Sequence, residues 1–465
     1  MIDFAIIGTY LLSILIVGFY YSFRVKTVSD YAIAGRDYPT SIIVATVFAT
    51  LIGGASTVGV AEQFFSVGII FYVVCLGAAL RDLIQAKLIV PRMGDLSGIV
   101  SSGDLMGRHF GKPGQVITGF AVLARCVGFI GIQVSALGFL GNYLLHIPYN
   151  LSAITAGAIV ILYSSFGGIR SVTITDVIQF GVLVVAIPMI CNFGITAVGG
   201  FGPLIEALPK SHTTFFVDTS IIVKYLGLAF VFMLPDLDPA VLQRILMGRS
   251  LRQGQISLLI TSLSSIPIYA MAGLIGLIAL AVMPSLESNL AFPFLINDVL
   301  PAGVRGIAIS GILAVIMSTA DSYLNIGGIS LVHDIIRPLK KENMEDKREL
   351  RLMQWGTVLL GGMSILCALA LPNVFALSVA ALALWQPVIF PPMFLCMIGM
   401  LRSQKLFYVG VSASIMVLLL WNIFIKPFLG IDGILAASMV HFLILLSPHA
   451  IKNANLFPKM KEVID

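Results

Sequence analysis

Charge is scarce in this chain: Asp, Glu, Lys and Arg make up 11% of its 465 residues, against 58% hydrophobic. A soluble domain carries about 25% charged residues, and a mean hydropathy of +1.00 leaves too little polar surface to face water. A soluble enzyme is thereby excluded. Cysteine is sparse too. The five copies, Cys75, Cys126, Cys191, Cys367 and Cys396, sit in apolar stretches without the close spacings that hold zinc or haem, and they read as small core residues. Strict apolar–polar alternation is missing, which argues against a membrane β-barrel. No Gly-rich loop ends in Lys followed by Ser or Thr, so no nucleotide bound by such a loop drives this chain. Nor does the net charge of +5 point to nucleic acid, because the basic residues lie in short loops.

What is present is a succession of apolar runs of about 20 residues, each long enough to cross about 30 Å of hydrocarbon. Gly, Pro and charge divide them into about thirteen spans, at 4–23, 41–66, 68–90, 114–143, 150–166, 174–198, 219–245, 255–283, 304–336, 353–371, 374–401, 406–425 and 430–448. The expected class is an all-α polytopic membrane protein. Alternate loops hold 23 of the 28 basic residues, which by the positive-inside rule predicts an outward N-terminus and a cytoplasmic C-terminus. The first run begins at Ile2 beside Asp3 without a basic leader, and reads as a retained span. The longest polar stretch, around Arg337 to Arg351, is too short to bury a core, so function is expected within the membrane.

Two spans are broken. The second is interrupted by Gly53 and Gly54 amid Ala55, Ser56 and Thr57; the seventh by Pro235 and Pro239 flanking Asp236 and Asp238. Breaks at corresponding places point to a transporter's binding site, since unwound backbone offers free carbonyls and helix ends at mid-membrane. Polar residues inside spans are the informative ones, because burying an ion there costs several kcal/mol. The densest cluster is Met317-Ser318-Thr319-Ala320-Asp321-Ser322, with Ser318, Asp321 and Ser322 on one helical face. Hydroxyls alone could simply bond back to their own helix. With Asp321 in the same turn, the set suits a hard cation.

The stretch from Gly157 to Val172, with Tyr163, Gly167 and Gly168, followed by Thr175-Asp176-Val177-Ile178-Gln179, resembles the signature of the sodium:solute symporter family. So do Asp30-Tyr31 with Ala34-Gly35-Arg36, the Ser318–Thr319 pair, and Ala49-Thr50 leading to Ala55-Ser56 and Gly59. The resemblance implies a LeuT-type core of two inverted five-helix repeats, at 41–198 and 219–401. An extra helix at 4–23 precedes it; two helices at 406–448 and a cytoplasmic tail at 449–465 follow. It also implies a Na⁺ site formed by the carbonyls of Ala55, Val58 and Val315 and the hydroxyls of Ser318 and Thr319. In some relatives a second site maps onto Asp176, Ser318, Asp321 and Ser322. Here Asp321 stands where a serine is expected, leaving a second Na⁺, a shared proton or a structural pair with Arg170 as alternatives.

The solute cavity is expected between the breaks, with Glu62, Gln63, Arg125, Asp236, Asp238, Trp385 and Gln386 as candidates. Arg125 reads either as a structural partner of these acids or as a clamp for a carboxylate. Trp385, Gln386 and Pro387 are expected to interrupt the eleventh span, with Trp385 either packing or stacking on a substrate amine. Three acids around one base favour a zwitterion or amine-bearing solute, and an amino acid or similar zwitterion or carboxylate is the expected cargo. His441 reads as a packing residue; Lys210, Lys224, Arg305 and Tyr143 read as interfacial anchors. The expected protein is a Na⁺-coupled secondary transporter in the bacterial inner membrane, active as a monomer. Its rivals are a proton-coupled transporter working through Asp176 and Asp321, and a sensory membrane module.

Overall fold

The computed structural model describes residues 2–22, 27–34, 36–94, 98–215, 218–340, 345–397, 400 and 403–447. Gly35 of the first inner motif and the tail expected at 449–465 lie outside these residues. Within them the structure is helical, and the one strand-like contact is a bridge between Tyr38 and Gly248. Eight helices are long and apolar enough to cross a membrane, accompanied by five shorter apolar ones. Large apolar side chains such as Phe120, Leu263, Trp355 and Leu366 point outward, whereas Arg125, Asp176, Asp236 and Arg244 are buried. A water-soluble fold would invert that arrangement; one solvated by lipid requires it.

The chain opens with α1 (Ile2–Ser22). The first broken span is α2 (Thr40–Leu51) and α3 (Val58–Val67), followed by α4 (Tyr72–Ile84). Next come α5 (Ser102–Leu145), turning at Gly111, and α6 (Tyr149–Ala197), turning at Gly168. The second broken span is α7 (Thr219–Met233) and α8 (Pro239–Met247), followed by α9 (Leu251–Val282) and α10 (Val304–Ile329). The chain ends with α11 (Asp346–Ala370), α12 (Val374–Met397), α13 (Gln404–Leu420) and α14 (Ile434–Leu445). Both breaks therefore fall where the sequence places them. The most extensive packing joins α10 to α6, and α10 also rests on α5 and α2, so the polar cluster of α10 faces the first break.

Several expectations need correction. A continuous 49-residue α6 would be about 74 Å long, twice what a membrane accommodates. Its two spans instead meet at Gly168, whose φ of 59° a glycine adopts without steric cost, rather than through a loop at 167–173. The eleventh span is not interrupted at Trp385 to Pro387, because α12 runs helically through Pro387, Pro391 and Pro392. One carbonyl there is satisfied from outside, Pro387 accepting from His441 Nδ1 at 2.8 Å. Arg81 and Arg244, counted among inner-loop residues by their position, lie instead within α4 and α8 and are buried.

Candidate functional site

At the first break, the backbone freed by unwinding is satisfied by side chains. Gly53 N–H donates to Ser56 Oγ at 2.8 Å, and Gly54 N–H to Gln133 Oε1 on α5 at 2.9 Å. The carbonyls at the end of α2 face α10: Ser318 Oγ donates to Ala49 O at 2.8 Å and to Val315 O at 3.0 Å. Thr319 Oγ1 donates to Thr50 O at 3.2 Å and to Val315 O at 3.3 Å. A side chain at Gly53 would run into the Thr319 hydroxyl, so glycine there lets the two elements close. Two of the expected ligands, Ser318 and Thr319, thus meet the end of α2; Val315 O accepts from both hydroxyls within α10, and Ala55 lines the same cavity as Thr319. Val58 is buried at the first residue of α3, away from that lining. Ala49 and Thr50 are carbonyl partners the sequence reading did not name as ligands.

The second break is held by acids. Asp238 caps α8, accepting Ala240 N–H on Oδ1 at 2.7 Å, while Oδ2 accepts from Arg125 Nε at 2.8 Å, Arg125 Nη2 at 2.5 Å and Tyr323 Oη at 2.6 Å. Asp236 pairs with Arg125 Nη1 at 2.9 Å. Of the two readings offered for Arg125, the structural ion pair is the one observed. Both α12 candidates serve the same break: Trp385 Nε1 donates to Asp236 O at 3.1 Å and Gln386 Nε2 to Val231 O at 3.0 Å. The Arg125 guanidinium lies over the Trp385 ring, 5.5 Å from its centroid.

Between the breaks lies a cavity of about 810 Å³ of unfilled space, part of it open to solvent. Its walls include six aromatic rings, Phe71, Phe129, Phe232, Phe375, Tyr269 and Tyr323, and its polar lining includes Arg81, Arg125, Asp238, Gln133, Ser56 and Thr319. Of the solute candidates, Arg125 and Asp238 reach it. Glu62 is turned toward Asn373 Nδ2 at 2.6 Å, Gln63 is half-buried, and neither lines the cavity, nor do Asp236, Trp385 and Gln386. Arg81 was missed by the sequence reading. It gives Nε to Asp82 at 2.9 Å, and its two terminal nitrogens make no hydrogen bond to protein among the described residues. The adjacent Arg81-Asp82 inside the expected span at 68–90 was the available signal, obscured because Arg81 is counted with the basic residues of the inner loop that follows.

The residues offered for a second cation separate. Asp321 turns both oxygens to the Tyr163 hydroxyl, at 2.6 and 2.7 Å, whereas Asp176 accepts from Thr46 and pairs with Arg244 Nη2 at 3.3 Å. Ser322 Oγ accepts from the same Nη2 at 2.5 Å. Arg170, proposed as partner to these acids, pairs with Asp30 at 3.2 Å instead, because it lies near the Gly168 turn, beyond their reach. His441 is buried and bonded through one nitrogen, as a packing role requires. At helix ends, Arg305 pairs with Asp3 at 3.0 Å and Tyr143 donates to Asp298 at 2.7 Å, while Lys224 lies over the Tyr225 ring.

Known proteins share this architecture. A solved substrate-bound, outward-open Na⁺-coupled sialic acid symporter superimposes with a TM-score of 0.81 at 20% identity, covering 98% of each chain. A nucleobase-cation-symport-1 family transporter with bound bromovinylhydantoin gives 0.60 at 14% identity, over 92% of this chain and 96% of that one. These likenesses establish the LeuT-type fold. In sequence, the chain is 22% identical over 392 residues to sodium-coupled monocarboxylate transporter 1 of Xenopus laevis, covering 77% of this chain and 61% of that one. It is 23% identical over 394 residues to an osmoregulated proline transporter of Bacillus subtilis, covering 78% of this chain and 77% of the other. The match thus spans about six-tenths of the frog transporter's length. The sequence model of a family of transporters, not enzymes, matches residues 31–402, and the chain therefore belongs to the sodium:solute symporter family.

Proposed function

We propose that this protein is a Na⁺-coupled symporter of a small organic solute bearing a carboxylate, working by alternating access. The observation that carries the reading is the junction at the first break. There the hydroxyls of Ser318 and Thr319 converge with the carbonyls of Ala49, Thr50 and Val315 beside the cavity that Ala55 and Arg81 also line. Oxygen donors of this kind suit a hard cation. In this reading Na⁺ ties the broken span to α10 through Ala55, Val58, Val315, Ser318 and Thr319, and thereby orders the cavity. Ion and solute favour the same ordered state, so each tightens the other by the same factor. An inward potential of about 100 mV contributes about 2.3 kcal/mol per Na⁺ carried.

The solute assignment rests on charge and shape. Arg125 is neutralised by two carboxylates, while Arg81, paired with Asp82 through Nε, lines the cavity with terminal nitrogens that make no hydrogen bond to protein among the described residues. A guanidinium fork matches a carboxylate with parallel hydrogen bonds, and the aromatic walls suit an apolar body or stack on an amine. A monocarboxylate or zwitterion fits both. The names of relatives cannot choose for this chain: they include transporters of monocarboxylates, proline, choline and myo-inositol.

The same reading puts about thirteen spans in the bacterial inner membrane, with repeats at 41–198 and 219–401, the N-terminus outside, and a functional monomer. A thermal-shift screen of purified protein against small metabolites tests it, since a ligand stabilises by mass action. Carboxylate-bearing solutes should raise the melting temperature in Na⁺ and fail to do so in K⁺. Stabilisation by a solute in K⁺ alone contradicts it, as does uptake into liposomes driven by an imposed proton gradient without Na⁺.

A further inference from the structure

We propose that Asp104, His333 and Asp334 form a binding site for a divalent first-row transition metal, apart from the solute cavity. Each residue offers one ligand atom, and the three atoms lie within 4.8 Å of one another. They come from distant parts of the chain. Asp104 stands in the first turn of α5, while His333 and Asp334 belong to the π-helical turn Ser330–Ile336 that continues α10; such turns recur at functional sites. His333 Nε2 lies 2.9 Å from both oxygens of Asp104. Asp334 is fully buried, and a side chain at Gly103 would strike its carboxyl. Its Oδ1 accepts from Ser101 Oγ and its Oδ2 from Ser330 Oγ, both at 2.6 Å. Gln115 Nε2 spans the two acids, 3.1 Å from Asp104 Oδ1 and 3.5 Å from Asp334 Oδ1, so a donor already stands where a cation would draw the carboxylates together.

Three further observations point to a metal. Ser102 is 4% exposed, and its Oγ is buried with no hydrogen-bond partner among the described residues. With Ser101, Ser330 and Asp334 it lines a cavity of about 290 Å³ of unfilled space, part of it open to solvent. A metal with three protein ligands keeps a fourth position for water, and this cavity borders Asp334. Second, His333 Nδ1 faces Glu349 Oε1 of α11 at 3.8 Å, an oxygen that is buried and makes no hydrogen bond. A metal-ligating histidine gives its other ring N–H to a carboxylate, which orients the ring. With a metal replacing the Nε2 proton, Glu349 stands ready for that role. Third, these residues carry an excess of acid. Asp104, Asp334 and Glu349 face two bases, His333 and Arg337, the latter 3.8 Å from Glu349; a dication beside neutral His333 brings the group to zero. Imidazole with carboxylates suits a transition metal better than Na⁺. The bound ion would fasten the start of α5 to the end of the helix that carries Ser318 and Thr319.

Calorimetric titration of ZnCl₂ into the purified, untagged full-length chain tests this. Wild type should bind a Zn²⁺ that His333→Gln and Asp334→Asn abolish, whereas His109→Ala, on α5 but outside the cluster, should keep it. Glu349→Gln should weaken binding about 10- to 100-fold, the usual cost of losing a ligand's outer partner. No Zn²⁺ bound by wild type, or undiminished binding by His333→Gln, overturns the proposal. Should the ligand variants fail to fold, X-ray absorption of Zn²⁺-loaded wild type decides: one imidazole among oxygen ligands is expected, and none, or two or more, overturns it.

Discussion

Arg125 and Arg244 are the most deeply enclosed of the three arginines buried among the described residues, and their surroundings differ in kind. Arg125 meets two carboxylates, Asp236 and Asp238, beside the rings of Phe129 and Trp385, and it borders the cavity. Arg244 meets one carboxylate, Asp176, and otherwise hydroxyl and amide oxygens, away from the cavity lining. The first group sets one guanidinium against two carboxylates at the cavity; the second sets one against a single directly paired carboxylate, away from it. A buried arginine in a membrane protein thus either borders a cavity or ties helices together away from one. Counting the partners of each arginine separates the two.

The largest effect should come from breaking the first group. Arg125→Met leaves Asp236 and Asp238 buried without a cation and should destabilise the protein by about 3–5 kcal/mol. Thermal unfolding in detergent measures it, and adding Asp238→Asn should recover part of the loss. Next, Arg81→Gln should weaken binding of a carboxylate solute about 10- to 100-fold, the worth of about 1.5–3 kcal/mol for a hydrogen bond to a charged group. The melting temperature without solute should fall as well, because Asp82 is left buried without its cation. If instead a neutral solute suffers equally, Arg81 shapes the cavity without reading charge.

Smaller changes are expected where neutral donors are removed. Ser318→Ala and Thr319→Ala should each raise the half-saturating Na⁺ concentration several-fold, as about 1 kcal/mol per lost ligand requires; unchanged values in both would remove the ligand assignment. The smallest is Trp385→Phe. It loses one bond, to the Asp236 carbonyl, and should cost about 0.5–1.5 kcal/mol of stability with Na⁺ dependence intact.

Much of this organisation is legible in the sequence, because helix breaks and intramembrane charges are local signals. Gly53-Gly54 and Pro235 with Pro239 mark the two interruptions, and both are found there. Partner choice is not local. That Arg170 joins Asp30, that Asp321 faces Tyr163, and that Arg244 reaches Asp176 depend on how helices far apart in the chain pack. The Pro387 region misleads for the opposite reason: proline is a strong local signal of a break, yet packing by α14 lets the helix continue. Arg81 and Arg244 were read as inner-loop residues because they stand at the ends of apolar runs. Only the helices themselves show that both are buried.

The central claim is that a Na⁺ held by Ser318 and Thr319 orders the broken second span. Thermal unfolding of wild type and of the Ser318→Ala, Thr319→Ala double variant, titrated with NaCl against KCl at constant ionic strength, tests it most directly. The account predicts a Na⁺-specific rise in melting temperature for wild type that is lost in the double variant. Equal stabilisation by K⁺, or an undiminished Na⁺ response without the two hydroxyls, would contradict it.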